Sequence, residues 1–333
     1  MPEQPLTFLT GATGFVGAAV ARVLEAKGHR LRLLVRPGGD RRNLDVLTKI
    51  ELVEGDLTQP ATYYEALQGC QALFHVAADY RLWAPHPAAL YATNVEGTAA
   101  LMDSALALKI PRIVYTSSVA TLGARDNGTP TDETATPSLH AMVGAYKGSK
   151  FLAEEKVRQR VRSRGLPCVI VNPSTPIGPR DIKPTPTGRI LVEVARHKVP
   201  AYIETGLNIV HVDDVAEGHW LAFERGRVGE RYILGGENVP LGTLLGWIAE
   251  ASGAKPPRFK IPRRALYPAA YLAEALARFT GREPFLTVDA LRMAAHTMFF
   301  SSAKAENELG YHPRPAREAI ADALKWFQDH GYC

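Results

Sequence analysis

The stretch "FLTGATGFVGAAV", Phe8 to Val20, restricts what this chain can fold into more than any other. An apolar run that reads as a strand ends in Gly11, Gly14 and Gly17, then passes directly into a helical pattern. A helix start offers unpaired N–H groups and partial positive charge, and small residues let the backbone approach a pyrophosphate. The alternative is a tight turn with close helix packing. Glycine spacing alone is weak, but the setting between a first strand and a first helix favours a dinucleotide loop. Gly11, Thr13, Gly14, Phe15, Val16 and Gly17 are its candidate contacts.

The alternation continues along the first half. Strand patterns "LRLLVR", "IELVEGD", "QALFHVAA", "RIVYTSS" and "PCVIVNPS" are separated by helical ones, among them "NVEGTAALMDSALALK" and "AYKGSKFLAEEKVRQRVRSRG". Apolar strands between amphipathic helices predict an α/β fold, a Rossmann-type doubly wound parallel sheet with helices on both faces. After residue 175 the pattern changes. "TPIGPRDIKPTPTGR" reads as a loop, and most of the remaining chain reads as helix broken by proline. The expected organisation is a dinucleotide-binding domain over 1–175 and a smaller, mainly helical substrate-binding cap over 176–333. Segments near 208–234 are expected to return to the sheet.

The end of the second strand reads "LLVRPGGDRR". A carboxylate there would hold a ribose 2′-hydroxyl, but Val35 and Arg36 occupy the position. A guanidinium pairs instead with a 2′-phosphate, and Arg41 adds charge, so NADP(H) is favoured over NAD(H). The competing reading is a solvated basic turn. Asp56, with Leu57 next to it, lies past the third strand; it either reaches an adenine or turns the chain.

"AYKGSKFLAEE" sets Tyr146 and Lys150 four residues apart on one helix face. A free phenol titrates near pH 10, and a neighbouring ammonium would favour its ionised form. Ser118 comes just after the "VYTSS" strand and can hold a substrate oxygen beside Tyr146; Ser117 is the neighbouring alternative. With these residues the chain resembles an extended short-chain dehydrogenase/reductase of the NAD-dependent epimerase/dehydratase type. The resemblance runs over nearly the whole chain. It implies that Tyr146 exchanges a proton, Ser118 steadies the oxygen, and Lys150 binds the nicotinamide ribose and tunes Tyr146. It also implies cofactor contacts at Ala77 and Ala78 in "HVAA", at Asn94, and at Asn172, Pro173 and Ser174 in "VNPS".

"FHVAADYRLWAP", "NPSTPIGPRDIKPTPTGRI" and "MFFSSAKAENELGYHPRPAREAI" narrow the resemblance to the hopanoid-associated sugar epimerase group, similar in turn to dihydroflavonol 4-reductases. The resemblance implies a small-molecule, triterpenoid substrate and a homodimer. Together with Arg36 it implies an NADP(H)-preferring reductase of a hopanoid's sugar-derived side chain. The alternatives are a sugar epimerase without net redox, a ketone reductase of the dihydroflavonol type, and a non-catalytic NADP(H) sensor. Tyr80, Arg81 and Trp83 in one loop, and Arg180 and Arg189 in another, are candidate substrate contacts. Their alternative roles are packing and solubility.

Other features carry bland readings. Asp213 and Asp214 are expected to cap a helix, and His75 reads as a core or loop histidine. The net charge of +5 is spread among interspersed acids and bases, which argues against a nucleic-acid partner. Cys70, Cys168 and Cys333 have neither metal nor disulfide spacing, which suits reduced thiols in a cytoplasmic protein with no metal. "MPEQPLTFLTGATG" enters a strand pattern at once, so no signal peptide is expected. The most apolar run, "ALYPAAYLAEALARF", is broken by Pro268, Glu274 and Arg278 and is too short to span a bilayer. With Arg263 and Arg264 it forms a basic amphipathic helix, read either as packing on the cap or as a peripheral membrane contact.

Overall fold

The computed structural model describes residues 4–81, 83, 87–123, 129–280, 284 and 286–333, without the side chain of Arg278. The chain runs through β1 (Leu6–Thr10), α1 (Phe15–Ala26), β2 (Arg30–Val35), β3 (Ile50–Glu54), β4 (Ala72–His75), α2 (Pro87–Tyr91), α3 (Thr98–Ala107), β5 (Ile113–Thr116), α4 (Gly144–Arg164) and β6 (Cys168–Pro173). It continues through β7 (Thr175–Ile177), α5 (Pro186–Ala195), β8 (Ala201–Tyr202), β9 (Gly206–His211), α6 (Val212–Arg225), β10 (Arg231–Leu234), β11 (Glu237–Pro240) and α7 (Leu241–Ser252). The last elements are β12 (Phe259–Lys260), α8 (Tyr267–Thr280), α9 (Val288–Met293), α10 (Ala303–Leu309) and α11 (Ala316–Asp329).

Seven strands form one parallel sheet in the order β10-β6-β5-β4-β1-β2-β3. The apolar runs explain it, since β4, β5 and β6 are buried along their whole length, as strands covered on both faces must be. One face packs on α1 and α6 around Leu24, Leu33, Val215 and Tyr232. The other packs on α3 and α4 around Leu101, Met102, Ala153 and Val157. Chain order reverses between β1 and β4. The crevice beyond their carboxyl ends is where an open sheet of this kind takes its ligand.

The expected strands and helices of the first half are present, with one difference. The helix expected from Asn94 begins at Pro87 and passes through a π turn at Ala92–Gly97 before becoming α3. Within the expected loop "TPIGPRDIKPTPTGR", Thr175–Ile177 forms β7, and Pro186 opens α5 under a Thr185 cap. Of the segments near 208–234, α6 and β10 return to the main sheet. β9 instead centres a small sheet in the order β11-β9-β7. The cap core lies between that sheet and α5, α7 and α11.

The expectation for Asp213 and Asp214 is corrected. The cap of α6 is the His211 side chain, which accepts from the Asp213 N–H at 3.0 Å. The two aspartates occupy the first turn. Asp213 pairs with Arg22 of α1 at 3.0 Å, and Asp214 accepts from Arg314 Nε and N–H, both at 2.8 Å. Acids in a first turn suit the helix dipole, and both also reach across to neighbouring segments.

Candidate active site

The glycine loop places backbone where side chains cannot fit. Gly11 has φ +81°, and a Cβ on it would lie 2.6 Å from the Ala77 nitrogen. A Cβ on Gly17 would lie 2.1 Å from the Gly11 carbonyl oxygen. The first turn of α1 has neither a side-chain cap nor an acidic residue, so its N–H groups and positive dipole end are left for an anion. Asn43 holds the loop by donating to the Thr13 carbonyl at 3.3 Å. A tight backbone cradle on an uncapped helix fits a dinucleotide pyrophosphate.

The three arginines after β2 differ. Arg41 is ion-paired with Glu54, and Arg42 pairs with Asp40 at 2.6 Å. Arg36 is exposed at the strand end, and its guanidinium has no hydrogen bond or ion pair among the described residues. It lies in the field of two carboxylates. Asp56 is pulled below the usual range by hydrogen bonds from Thr58, with Arg36 adding to the effect. Burial raises Asp79, but the bonds of Arg81 outweigh it, and Arg36 again lowers it. The Asp56 carboxylate accepts from Thr58 N–H at 2.7 Å and Thr58 Oγ1 at 2.6 Å, the geometry of a turn. Leu57 is buried beneath Gly97 of the π turn.

Past β4, Ala77 donates its N–H to Thr10 Oγ1 at 3.2 Å, closing the crevice beside Gly11, and the adjacent Ala78 is half-buried. Asn94 sits in the π turn, a distortion that often marks functional sites. Its amide accepts from Asp79 N–H at 2.7 Å and donates to Asp79 O at 2.8 Å and Ser149 Oγ at 3.0 Å. Asn94 thus ties the loop after β4 to α4, and both its amide hydrogens are committed there. His75 is fully buried between Thr10 Oγ1 at 2.7 Å and Thr98 Oγ1 at 2.8 Å. Burial pushes it down to about 3, so it is a neutral core residue.

Helix α4 carries Tyr146 and Lys150 towards the end of β5. Burial raises the Tyr146 phenol, and a side-chain hydrogen bond with Ser118 works in the opposite direction. Ser118 is half-buried, and its Oγ also accepts from the Ala120 N–H at 3.1 Å. Ser117 is buried and donates to Glu154 at 2.5 Å. The geometry therefore puts Ser118 and not Ser117 beside Tyr146. Lys150 donates to the Thr116 carbonyl at 2.8 Å and the Tyr115 hydroxyl at 3.3 Å. Burial lowers it to about 8 while Glu154 holds it up. Lys150 is expected to tune Tyr146, and its hydrogen bonds here go to β5 and not to the Tyr146 hydroxyl. A desolvated ammonium takes the nearest oxygens, and these belong to β5.

Glu154, one further turn along α4, was missed in the sequence. It is 3% exposed and accepts from Ser117, from Thr121 Oγ1 at 2.9 Å, from Asn172 Nδ2 at 3.0 Å and from Arg231 Nη1 at 3.2 Å. A buried carboxylate persists only when it is bonded in this way. Asn172 also donates to the Ser118 carbonyl at 3.0 Å, so the carboxylate anchors the turn that presents Ser118. Asn172 Oδ1 and Ser174 Oγ are buried with no hydrogen-bond partner. Both lie where β6 and the buried Pro173 lead out towards the crevice, which leaves acceptor capacity for a polar ligand.

The substrate candidates do not converge. Tyr80 is exposed, Arg81 is ion-paired with Asp79, and Trp83 is half-buried. Arg180 lines a cavity of about 490 Å³ with Arg42, Arg196, Trp326 and Tyr332, which includes none of Ser118, Tyr146 or Lys150. Arg189 is exposed on α5. Among the described residues no cluster of metal-binding side chains is found, and no helix is long and apolar enough to cross a membrane.

Residues 7–235 match the NAD dependent epimerase/dehydratase family. The chain is 43% identical over 329 residues to a putative dihydroflavonol 4-reductase of Synechocystis sp., covering 98% of this chain and 95% of that one. It is 33% identical to sterol demethylase protein B of Methylococcus capsulatus, covering 98% and 99%. The crystal structure of gox2253 is 56% identical and superimposes with a TM-score of 0.89 over 99% of both chains. The family match takes in the glycine loop, the crevice beside Ala77, and the Ser118, Tyr146 and Lys150 positions. The chain belongs to the NAD dependent epimerase/dehydratase family and is an NAD(P)-dependent oxidoreductase or epimerase.

Proposed function

We propose that the protein is an NADP(H)-preferring carbonyl reductase. The observation that carries this reading is Arg36, a guanidinium left unpaired at the end of β2 while Arg41 and Arg42 are held by Glu54 and Asp40. A 2′-phosphate is the group such a position pairs with. Arg41 then serves to place the turn. A relative named as a reductase, the putative dihydroflavonol 4-reductase of Synechocystis sp., favours net reduction over epimerisation.

Gly11 to Gly17 would hold the pyrophosphate, Ser174 would contribute its unpartnered hydroxyl, and Lys150 would hold the nicotinamide ribose. The bound nicotinamide supplies the hydride. Ser118 holds the substrate oxygen, and Tyr146 gives it a proton through its hydroxyl. Burial around Tyr146 keeps the phenol protonated until a charged oxygen develops beside it.

The substrate class we propose is an apolar polycycle bearing an oxidised polar side chain, a hopanoid with its sugar-derived chain. The motifs shared with the hopanoid-associated group support it, as does the relative named for sterol demethylation. A homodimer through the sheet-covering helices belongs to the same reading. Nicotinamide absorbance during addition of a ribosyl-hopane or a short soluble analogue tests it. Stoichiometric NADPH loss is expected, with NADH much poorer, and Arg36→Ala should lower the NADPH preference by about 10- to 100-fold. Inverted stereochemistry at constant absorbance would make the protein an epimerase.

A further inference from the structure

The five most exposed large apolar side chains among the described residues fall in one stretch: Phe259 at 67%, Tyr271 at 58%, Leu272 at 62%, Leu276 at 55% and Phe279 at 90%. Four of them are on α8, and Leu272, Leu276 and Phe279 succeed one another at helical spacing on one face. This helix buries only alanines, Ala270, Ala273 and Ala277, and turns its largest apolar groups outward, the reverse of what burial within the chain would select.

The chain leading into α8 has a matching charge bias. Residues 251–273 contain Lys255, Arg258, Lys260, Arg263 and Arg264 and no aspartate or glutamate. Lys255, Arg258 and Arg264 are exposed; Lys260 pairs with Glu204 on the surface, and Arg263 donates to the Leu291 carbonyl at 3.1 Å. Arg263 and Arg264 precede the N-terminus of α8, where cations oppose the helix dipole, so helix stability does not explain them.

We propose that the outward face of α8, with Phe259 and the basic segment 255–264, seats on an anionic lipid bilayer surface. Apolar side chains beside lysines and arginines, on a helix that does not span, are the chemistry of interfacial binding to anionic headgroups. The surface is coupled to the catalytic helix. Glu274 of α8 accepts from the Val288 N–H of α9 at 2.7 Å, and Ala270 packs with Val288 and Leu291. Asp289 of α9 lies against Gly144, where a Cβ would come within 3.1 Å of its carboxylate. Gly144 opens α4, two residues before Tyr146. Seating α8 on a bilayer therefore brings the start of the catalytic helix close to the lipid, where an amphiphilic substrate would be found.

The test does not require the substrate to be known. The full chain is sedimented with phosphatidylcholine vesicles and with vesicles enriched in phosphatidylglycerol, alongside a Leu272→Ser, Leu276→Ser, Phe279→Ser variant and a Lys255→Glu, Arg258→Glu, Arg264→Glu variant. Melting temperature and cofactor binding confirm that both variants fold. The expected result is binding to the anionic vesicles that weakens with salt and falls at least about tenfold in each variant. The proposal is overturned if the chain stays in solution with both vesicle types, or if the apolar variant binds as the parent does. It is equally overturned if the chain ignores vesicles but self-associates and the serine variant abolishes that association, since the face would then serve a second copy.

Discussion

Glu154 stands one helical turn after Lys150, a spacing that in sequence reads as an ordinary surface pair, and Glu155 beside it looks the same. Only the fold separates them, by burying Glu154 under Ser117, Thr121, Asn172 and Arg231. Its charge holds the Lys150 ammonium up against burial, which alone would lower it further. Glu154→Gln removes that support at nearly constant volume. The alkaline limb of the kcat/KM profile set by Lys150 should move down by about one pH unit. Stability should fall by about 2–4 kcal/mol, because Arg231 and Asn172 lose a charged acceptor. A purely structural residue would give the stability loss with an unmoved pH profile. Arg41 teaches the converse. Its charge was legible, but its partner was not, since Glu54 becomes a neighbour only through the register that sets Val35 beside Glu54 in β2 and β3.

At the scale of elements, legibility tracked length and period. The β1–α1 unit was readable because a strand, three glycines and a 12-residue helix agree with one another. The three residues of β7 carry a proline and no period, and they form a strand only because β9 lies alongside. The π turn around Asn94 has no sequence signal that separates it from α-helix. Tight approach also makes glycines unequal. Gly17→Ala drives a Cβ into the Gly11 carbonyl, where backbone must yield. Stability should drop by about 1–3 kcal/mol, and cofactor affinity should drop with it as α1 is pushed off the loop. Gly246, inside α7, has nothing within 4 Å of its would-be Cβ. Gly246→Ala should therefore raise stability by about 0.5–1 kcal/mol and leave cofactor binding unchanged. Urea melts and a cofactor titration on both proteins check the pair; equal effects would mean that the loop does not need its close approach.

Across the whole molecule, the sheet is held to its helices by histidines that must stay neutral. His75 links β4 to β1 and α3, and His219 links α6 to β5 through Thr116 at 2.8 Å. Burial lowers them to about 3 and about 4, against 6.5 when exposed. A depressed histidine binds its proton more readily in the unfolded chain. Its stabilising effect is present above pH 6.5 and is lost as pH falls towards the folded value. Each histidine titrating only in the unfolded state contributes a slope of about 1.4 kcal/mol per pH unit. Asp181 opposes them, because burial raises it from 3.8 to about 6 and it favours the folded state as it protonates. Between about pH 6 and 4 one of the two histidine slopes is thereby cancelled, leaving a net loss of about 1.4 kcal/mol per unit from these three groups. Asp181→Asn should make the acid loss about twice as steep over that window, and His219→Gln should flatten it. Unfolding free energies from urea titrations at neutral pH and at about pH 5 measure both slopes. A parent protein equally stable at the two pH values, with neither substitution altering that, would mean that His75 and His219 are solvated or paired in a way that leaves them free to protonate in the folded state.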